Sequence, residues 1–206
     1  MATKQQEKSQ QTRMEIMAEA RRLFGEKGFA ATTVSEITAE AGYAKGNFYR
    51  HWQSKDELLL EIIEQKLHSY RKKREKTIRK AHSLREVMDG IWDFLETMID
   101  DKNWSRVFLE FTIHASRSEE LKIKLNNGMY RLSNDIFADM VAPFVETGYS
   151  PEKIGAMNTA LFEGFLIHSI LETGTISKQD AREAAVLLAL ARGKKDLPEA
   201  TSNPEG

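Results

Sequence analysis

Apolar residues along this chain recur at spacings of three and four, and the strict alternation of a half-buried strand is absent. Ile16, Ala20, Leu23 and Phe24 form one such stripe, and Val34, Ile37 and Ala41 form a second. Phe48 and Trp52 form a third, and Leu58, Leu59, Ile62, Ile63 and Leu67 a fourth. The pattern predicts an all-α fold of about nine helices. Their expected spans are 9–27, 33–41, 45–51, 54–80, 84–100, 103–116, 119–147, 151–173 and 177–192. Helix starts are marked by Thr33, Ser54 and Ser83, each followed three residues later by Glu, the capping-box pattern. Ser150 precedes Pro151, which fits a first helical position, and Ser177 opens the last helix with Asp180 in its first turn. Pro143 is expected to kink or end its helix. Gly28 and Gly42 are expected at positive φ, as a helix cap and a tight helix-to-helix corner.

The stripes divide the chain into an N-terminal three-helix domain over 10–55, a linking helix over 54–82 and a helical C-terminal domain over 83–192. A polar arm over 1–9 and a Pro-, Gly- and charge-rich tail over 193–206 are expected to be disordered. Charge follows the same division. Residues 1–82 hold 17 Lys and Arg against 11 Asp and Glu, a net of +6, and the remainder hold 13 against 20, a net of −7. That asymmetry suggests a nucleic-acid-facing module, although scattered surface charge alone would also produce it.

The informative stretch runs from Thr33 to Lys55. Two short helices flank Ala41-Gly42-Tyr43-Ala44, and the second turns Lys45, Asn47, Arg50 and His51 outward. Lys and Asn are chemically suited to base edges in the major groove, and Lys also serves phosphates. Gly46 removes bulk where this helix would meet DNA. Thr33 and Lys55 begin helices whose amides favour a phosphate, and Tyr49 carries a hydroxyl. By periodicity alone, a solvated helical hairpin with a tidy core remains an equal reading.

Phe24-Gly25-Glu26-Lys27-Gly28-Phe29, Thr32-Thr33-Val34, Ile37, Ala41-Gly42, Lys45-Gly46, Phe48-Tyr49-Arg50-His51-Trp52 and Lys55-Asp56-Glu57-Leu58 resemble the N-terminal signature of TetR-family regulators in order and spacing. The resemblance implies a helix-turn-helix at Thr33–Trp52. It also implies phosphate contacts from Thr33, Tyr49, His51 and Lys55, and base or groove contacts around Ala44, Lys45, Gly46 and Asn47. Three positions depart from the family pattern. Ala44 stands where a capping serine is common, Tyr43 where a small aliphatic is common, and Trp52 where Phe is usual.

Farther along, Trp104 to His114 and Ala160 to His168 resemble, more weakly, the ligand-binding domain of such regulators. Trp92, Trp104, Phe108, Phe111, Phe162 and Phe165 would line an apolar cavity, or serve simply as core. Glu110, His114, Glu163 and His168 are polar residues within apolar stretches. They read as satisfied core groups, as ligand-orienting groups, or, for Glu110 and His114, as two ligands of an incomplete metal set. The expected effector is mostly apolar, with a cationic or hydrogen-bond-donating group for Glu110 or Glu163. Helices 151–173 and 177–192 are apolar enough to bury against a second copy, so a homodimer on a palindrome is expected.

Hydrophobic residues make up 41% of the chain and charged residues 30%, a composition that supports a globular core. The absence of cysteine excludes disulfides, thiolate zinc and cysteine nucleophiles. No phosphate-binding glycine loop, dinucleotide fingerprint, nucleophile elbow or HExxH occurs. No enzyme and no cofactor are therefore expected. The polar start and the lack of a spanning apolar run suggest a cytoplasmic protein. An effector-independent activator or architectural DNA-binding protein is the alternative function, and an all-α enzyme is the remotest.

Overall fold

The computed structural model describes residues 4–78, 80–145 and 149–193, the side chains of 70–78, 132, 192 and 193 excepted. Ten α-helices follow one another: α1 (Lys4–Lys27), α2 (Val34–Glu40), α3 (Lys45–Phe48), α4 (Lys55–Ile78), α5 (Leu84–Asp100), α6 (Lys102–Ala115), α7 (Glu119–Leu125), α8 (Arg131–Val141), α9 (Pro151–Ile170) and α10 (Lys178–Gly193). A π-helical turn, Asn126–Tyr130, joins α7 to α8 without a break, so the nine expected helices are present. The all-α expectation holds among the described residues. The helix containing Pro143 ends as anticipated. Its α-helical part stops at Val141, and a short 3₁₀ segment carries the proline. The expected disordered tail beyond residue 193 lies outside the described residues. Residues 1–3 of the polar arm lie outside them too, whereas residues 4–9 belong to α1, which begins at Lys4.

Helix starts follow the capping chemistry. Thr33 Oγ1 accepts from the Glu36 amide at 3.2 Å, and the Glu36 carboxylate accepts from the Thr33 amide at 2.8 Å. Ser177 and Asp180 exchange the same pair of bonds at 3.1 and 2.8 Å. Ser54, Ser83 and Ser150 cap their helices as well. Asp101 and Ser118, whose downstream partners gave no capping-box signal, cap α6 and α7.

The chain forms two compact units. The first comprises residues 1–69 and 100–130, the second 70–99 and 131–206. In the first unit, Ile16, Ala20, Leu23, Phe24, Ile37, Phe48, Trp52, Leu58 and Leu59 make one core. Helix α6 packs against α1 in this same unit, with Phe111 fully buried and edge-on to Phe29 at 5.2 Å. The sequence pattern had grouped α6 with the C-terminal helices. In the second unit, α8 packs on α9 through Gly155, where an added Cβ would lie 3.0–3.2 Å from the Phe137 ring. Helix α10 is held to α5 by Arg182, which reaches Asp93 and Glu96 at 2.8 Å each. These helices leave part of α9 and α10 uncovered: Ile167, Leu171 and Leu187 are 48%, 68% and 56% exposed.

Candidate nucleic-acid interface

The corner between α2 and α3 is set by Gly42, whose φ of +77° lies in the left-handed region. The Tyr43 amide then donates to the Thr38 carbonyl at 2.8 Å, closing the turn. Phe48 is fully buried and stacks at 5.3 Å with Trp52, which fixes α3 on the unit's core. The opposite face carries Lys45, Gly46, Tyr49 and Arg50, all exposed, with Asn47 and His51 half-buried. Arg50 has no hydrogen-bond or ion-pair partner among the described residues, and Lys45 only leans over the Tyr49 ring at 5.9 Å. Ala44 starts α3 without a side-chain cap, as its identity implied.

His51 sits below its ordinary pKa. Burial is the main cause, and the nearby Arg13 and Arg50 charges add to it. It therefore meets a ligand as a neutral imidazole that a phosphate would help to protonate. Thr33 is exposed, but its hydroxyl donates to Glu36 and caps α2, so a phosphate contact must share it.

Lys55 is placed differently from a free phosphate ligand. Its Nζ donates to the carbonyls of Phe29, Thr32 and Ala30 at 2.5, 2.7 and 3.4 Å and lies 4.3 Å over the Phe29 ring. An ammonium has three protons, and three carbonyls now take them. Burial lowers its pKa. From the other side of the same turn, Glu110 of α6 accepts from the Phe29 and Ala30 amides, both at 2.8 Å. Gly28, at φ +85°, admits this carboxylate, since a Cβ there would stand 3.0 Å from Glu110 Oε2. The turn leading into α2 is thus gripped by a cation on its carbonyls and a carboxylate on its amides. Neighbouring His114 contacts Asp56 at 2.9 Å and rests against Phe29. Glu110 and His114 therefore face separate partners, and among the described residues no three His, Asp or Glu side chains are arranged to hold a metal.

Two of the unusual residues are tied down internally. The Tyr43 hydroxyl donates to Glu15. Trp52 Nε1 donates to Glu61 at 2.7 Å, and Arg13 both pairs with Glu61 and lies over the indole ring at 5.6 Å. Trp52 is therefore a hydrogen-bonding core residue, a role a phenylalanine would not fill.

The ten residues expected around a ligand fall into both units. Trp104, Phe108, Glu110, Phe111 and His114 lie on α6, with Trp104, Phe108 and Phe111 buried and His114 exposed. In the second unit Trp92 is buried and donates from Nε1 to Asn158 at 2.9 Å. There Phe162 and Phe165 are buried, Glu163 is half-buried, and His168 is exposed with its Nδ1 3.0 Å from the Thr173 hydroxyl.

A short helix bearing cations and a glycine on its open side, seated by a glycine corner on two others, has the arrangement of a helix-turn-helix domain. Residues 16–62 match the family described as bacterial regulatory proteins, tetR family. An uncharacterised HTH-type transcriptional regulator of Bacillus subtilis, YerO, is 58% identical over 43 residues, which is 21% of this chain and 15% of that protein. A second from the same organism, YfiR, is 26% identical over 141 residues, 65% of each. The chain thus spans less than two thirds of the length of the curated relatives it matches. Among solved structures, SmeT, the repressor of the Stenotrophomonas maltophilia multidrug efflux pump SmeDEF, superposes with a TM-score of 0.63 at 21% identity. That superposition covers 94% of this chain and 97% of SmeT, which has also been solved with triclosan.

Proposed function

We propose that the chain is a transcriptional regulator that binds a palindromic operator as a homodimer and is released by a small-molecule effector. The observation that carries the DNA reading is Gly46. Its φ lies outside the left-handed region, and a Cβ placed there would meet nothing within 4 Å. A glycine inside a helix costs about 0.5–1 kcal/mol relative to alanine, so the fold gains nothing from it. Its use is external: it lets a surface approach between Lys45, Asn47 and Arg50.

The dimer reading rests on the uncovered face of α9 and α10, where Ile167, Leu171 and Leu187 are exposed beside Ala156, Ala160, Gly164 and Ala184. A two-fold pair would place two copies of α3 about 34–36 Å apart, one turn of DNA. Repression follows by analogy with SmeT, a repressor that also forms a complex with triclosan, and by linkage an effector that releases the operator must bind the DNA-incompetent state more tightly. Such a protein works on DNA in the bacterial cytoplasm.

The test uses the operator recovered from bound genomic fragments. Gly46→Ala should keep or raise the melting temperature and lower operator affinity by about tenfold or more, a loss of about 1.4 kcal/mol. Lys45→Ala should weaken specific binding more than non-specific binding. An operator affinity unchanged in Gly46→Ala would remove this face from the DNA interface.

A further inference from the structure

The three tryptophans of the chain differ in one respect. Trp52 Nε1 donates to Glu61, and Trp92 Nε1 donates to Asn158. Trp104 is 6% exposed, and its Nε1 is buried with no acceptor among the described residues. An indole N–H only donates, and a buried donor without an acceptor is destabilising.

The group beside it is also a donor. Lys66 Nζ lies 4.1 Å over the Trp104 ring. Its carboxylate neighbour, Asp101, is 3.7 Å away, half exposed, and already accepts from the Trp104 amide at 3.0 Å. Burial pulls the Lys66 ammonium below its usual pKa, as expected of a cation short of compensation. Along α6 the Trp104 face continues into Phe108 and Phe111, both buried. Glu110, the carboxylate expected to receive a cationic ligand group, is occupied by the Phe29 and Ala30 amides.

We infer that Lys66 and Trp104 form a two-donor subsite for a hydrogen-bond-accepting anion, a carboxylate or phenolate, carried on an apolar body. As the polar end of the effector site it rests on the effector reading above, and it reverses the charge expected of that effector. The anion would accept the indole proton in the ring plane and pair with the ammonium at the ring face, while its apolar body lies along Phe108.

The full chain with isotope-labelled indole nitrogens gives three N–H resonances, and Trp104→Phe assigns one of them. Phenylbutyrate and nitrophenolate represent the two anion sources, and phenylbutylamine is the cationic match. At least one anion should move the Trp104 resonance and leave those of Trp52 and Trp92 in place. Lys66→Met, nearly isosteric, should weaken that probe by about tenfold or more. A Trp104 resonance that stays put with every probe overturns the subsite. Equal binding of the amine, or full affinity in Lys66→Met, also overturns it. Operator binding measured with the same probes separates the two claims. A shifted Trp104 with unchanged operator affinity keeps the subsite and sinks the effector role, whereas operator release with Trp104 unmoved does the reverse.

Discussion

Replacing Glu110 by alanine removes both acceptors from the turn at Gly28–Ala30 while leaving α6 a good helix former. Two charge-assisted bonds of 2.8 Å are lost. A hydrogen bond to a charged group contributes about 1.5–3 kcal/mol when its donor is then stranded. The two donors differ in this respect. Ala30 is exposed, and water replaces the carboxylate there, whereas Phe29 is buried and its amide is not readily rehydrated. The expected loss is therefore about 2 kcal/mol, nearer one bond than two. Amide hydrogen exchange reads it directly: protection at Phe29 should fall by more than tenfold, and at Ala30 by less. Glu110→Gln keeps one carbonyl acceptor but turns an NH₂ toward the other donor, so it should fall between wild type and alanine. Operator affinity should drop in the same order, because the turn sets the Thr33 cap and the entry of α2. Unchanged exchange at Phe29 in Glu110→Ala would refute the argument. So would Glu110→Gln behaving like wild type, which a purely steric role for the side chain would produce.

Other outcomes follow from single features. Ala44→Ser supplies the cap that α3 lacks and should stabilise the first unit by about 0.5–1 kcal/mol in urea unfolding, against no change if the α3 start is already satisfied by solvent. Leu187→Lys puts a charge on the uncovered α10 face and should give a monomer by light scattering where the wild type gives the proposed dimer, whereas a dimeric variant would place the interface elsewhere. His51 has its folded pKa below the unfolded value, so the unfolded chain takes up the proton first. Its contribution to stability is therefore present above its ordinary value of 6.5 and is lost as pH falls from there through the lower folded value. A phosphate at His51 works in the opposite sense: operator affinity should rise as pH falls from 8 toward 6. His51→Gln should flatten both slopes, and a pH slope for operator binding that survives the substitution would assign it to another group.

What the sequence made legible was local. Helix starts were readable because a hydroxyl and a carboxylate three residues apart satisfy each other's amides wherever the chain goes. The helix-turn-helix was readable because Gly42, Phe48 and Trp52 act within twenty residues of one another. Glu110 was not readable as a clasp, since its partners are 80 and 81 residues away, and a lone acid in an aromatic stretch looks the same whether it faces a ligand or a backbone turn. The carbonyl partners of Lys55 were not readable for the same reason: they lie 23 to 26 residues earlier in the chain. Trp52 stood out in the sequence only as a tryptophan where Phe is usual, because volume is visible there and the Glu61 acceptor is not. The subsite residues Lys66 and Trp104 come from different helices, and only Trp104 stood out, as an aromatic among others. Its distinguishing property, a donor without an acceptor, exists only in the folded chain.

The cage around the Lys55 ammonium also determines its chemical reactivity. An amine attacks an acylating reagent through its lone pair, which appears only when a proton leaves. Lys55 holds its protons on three carbonyls inside a turn, so a lowered affinity for protons does not make it a nucleophile that solvent reagents can reach. Lys45, exposed on α3, has no such protection. Mild acylation of the native chain should therefore erase the exposed charge on α3 before it touches the lysine that holds the turn. A modified protein could then lose its grip on the operator while its fold stays whole.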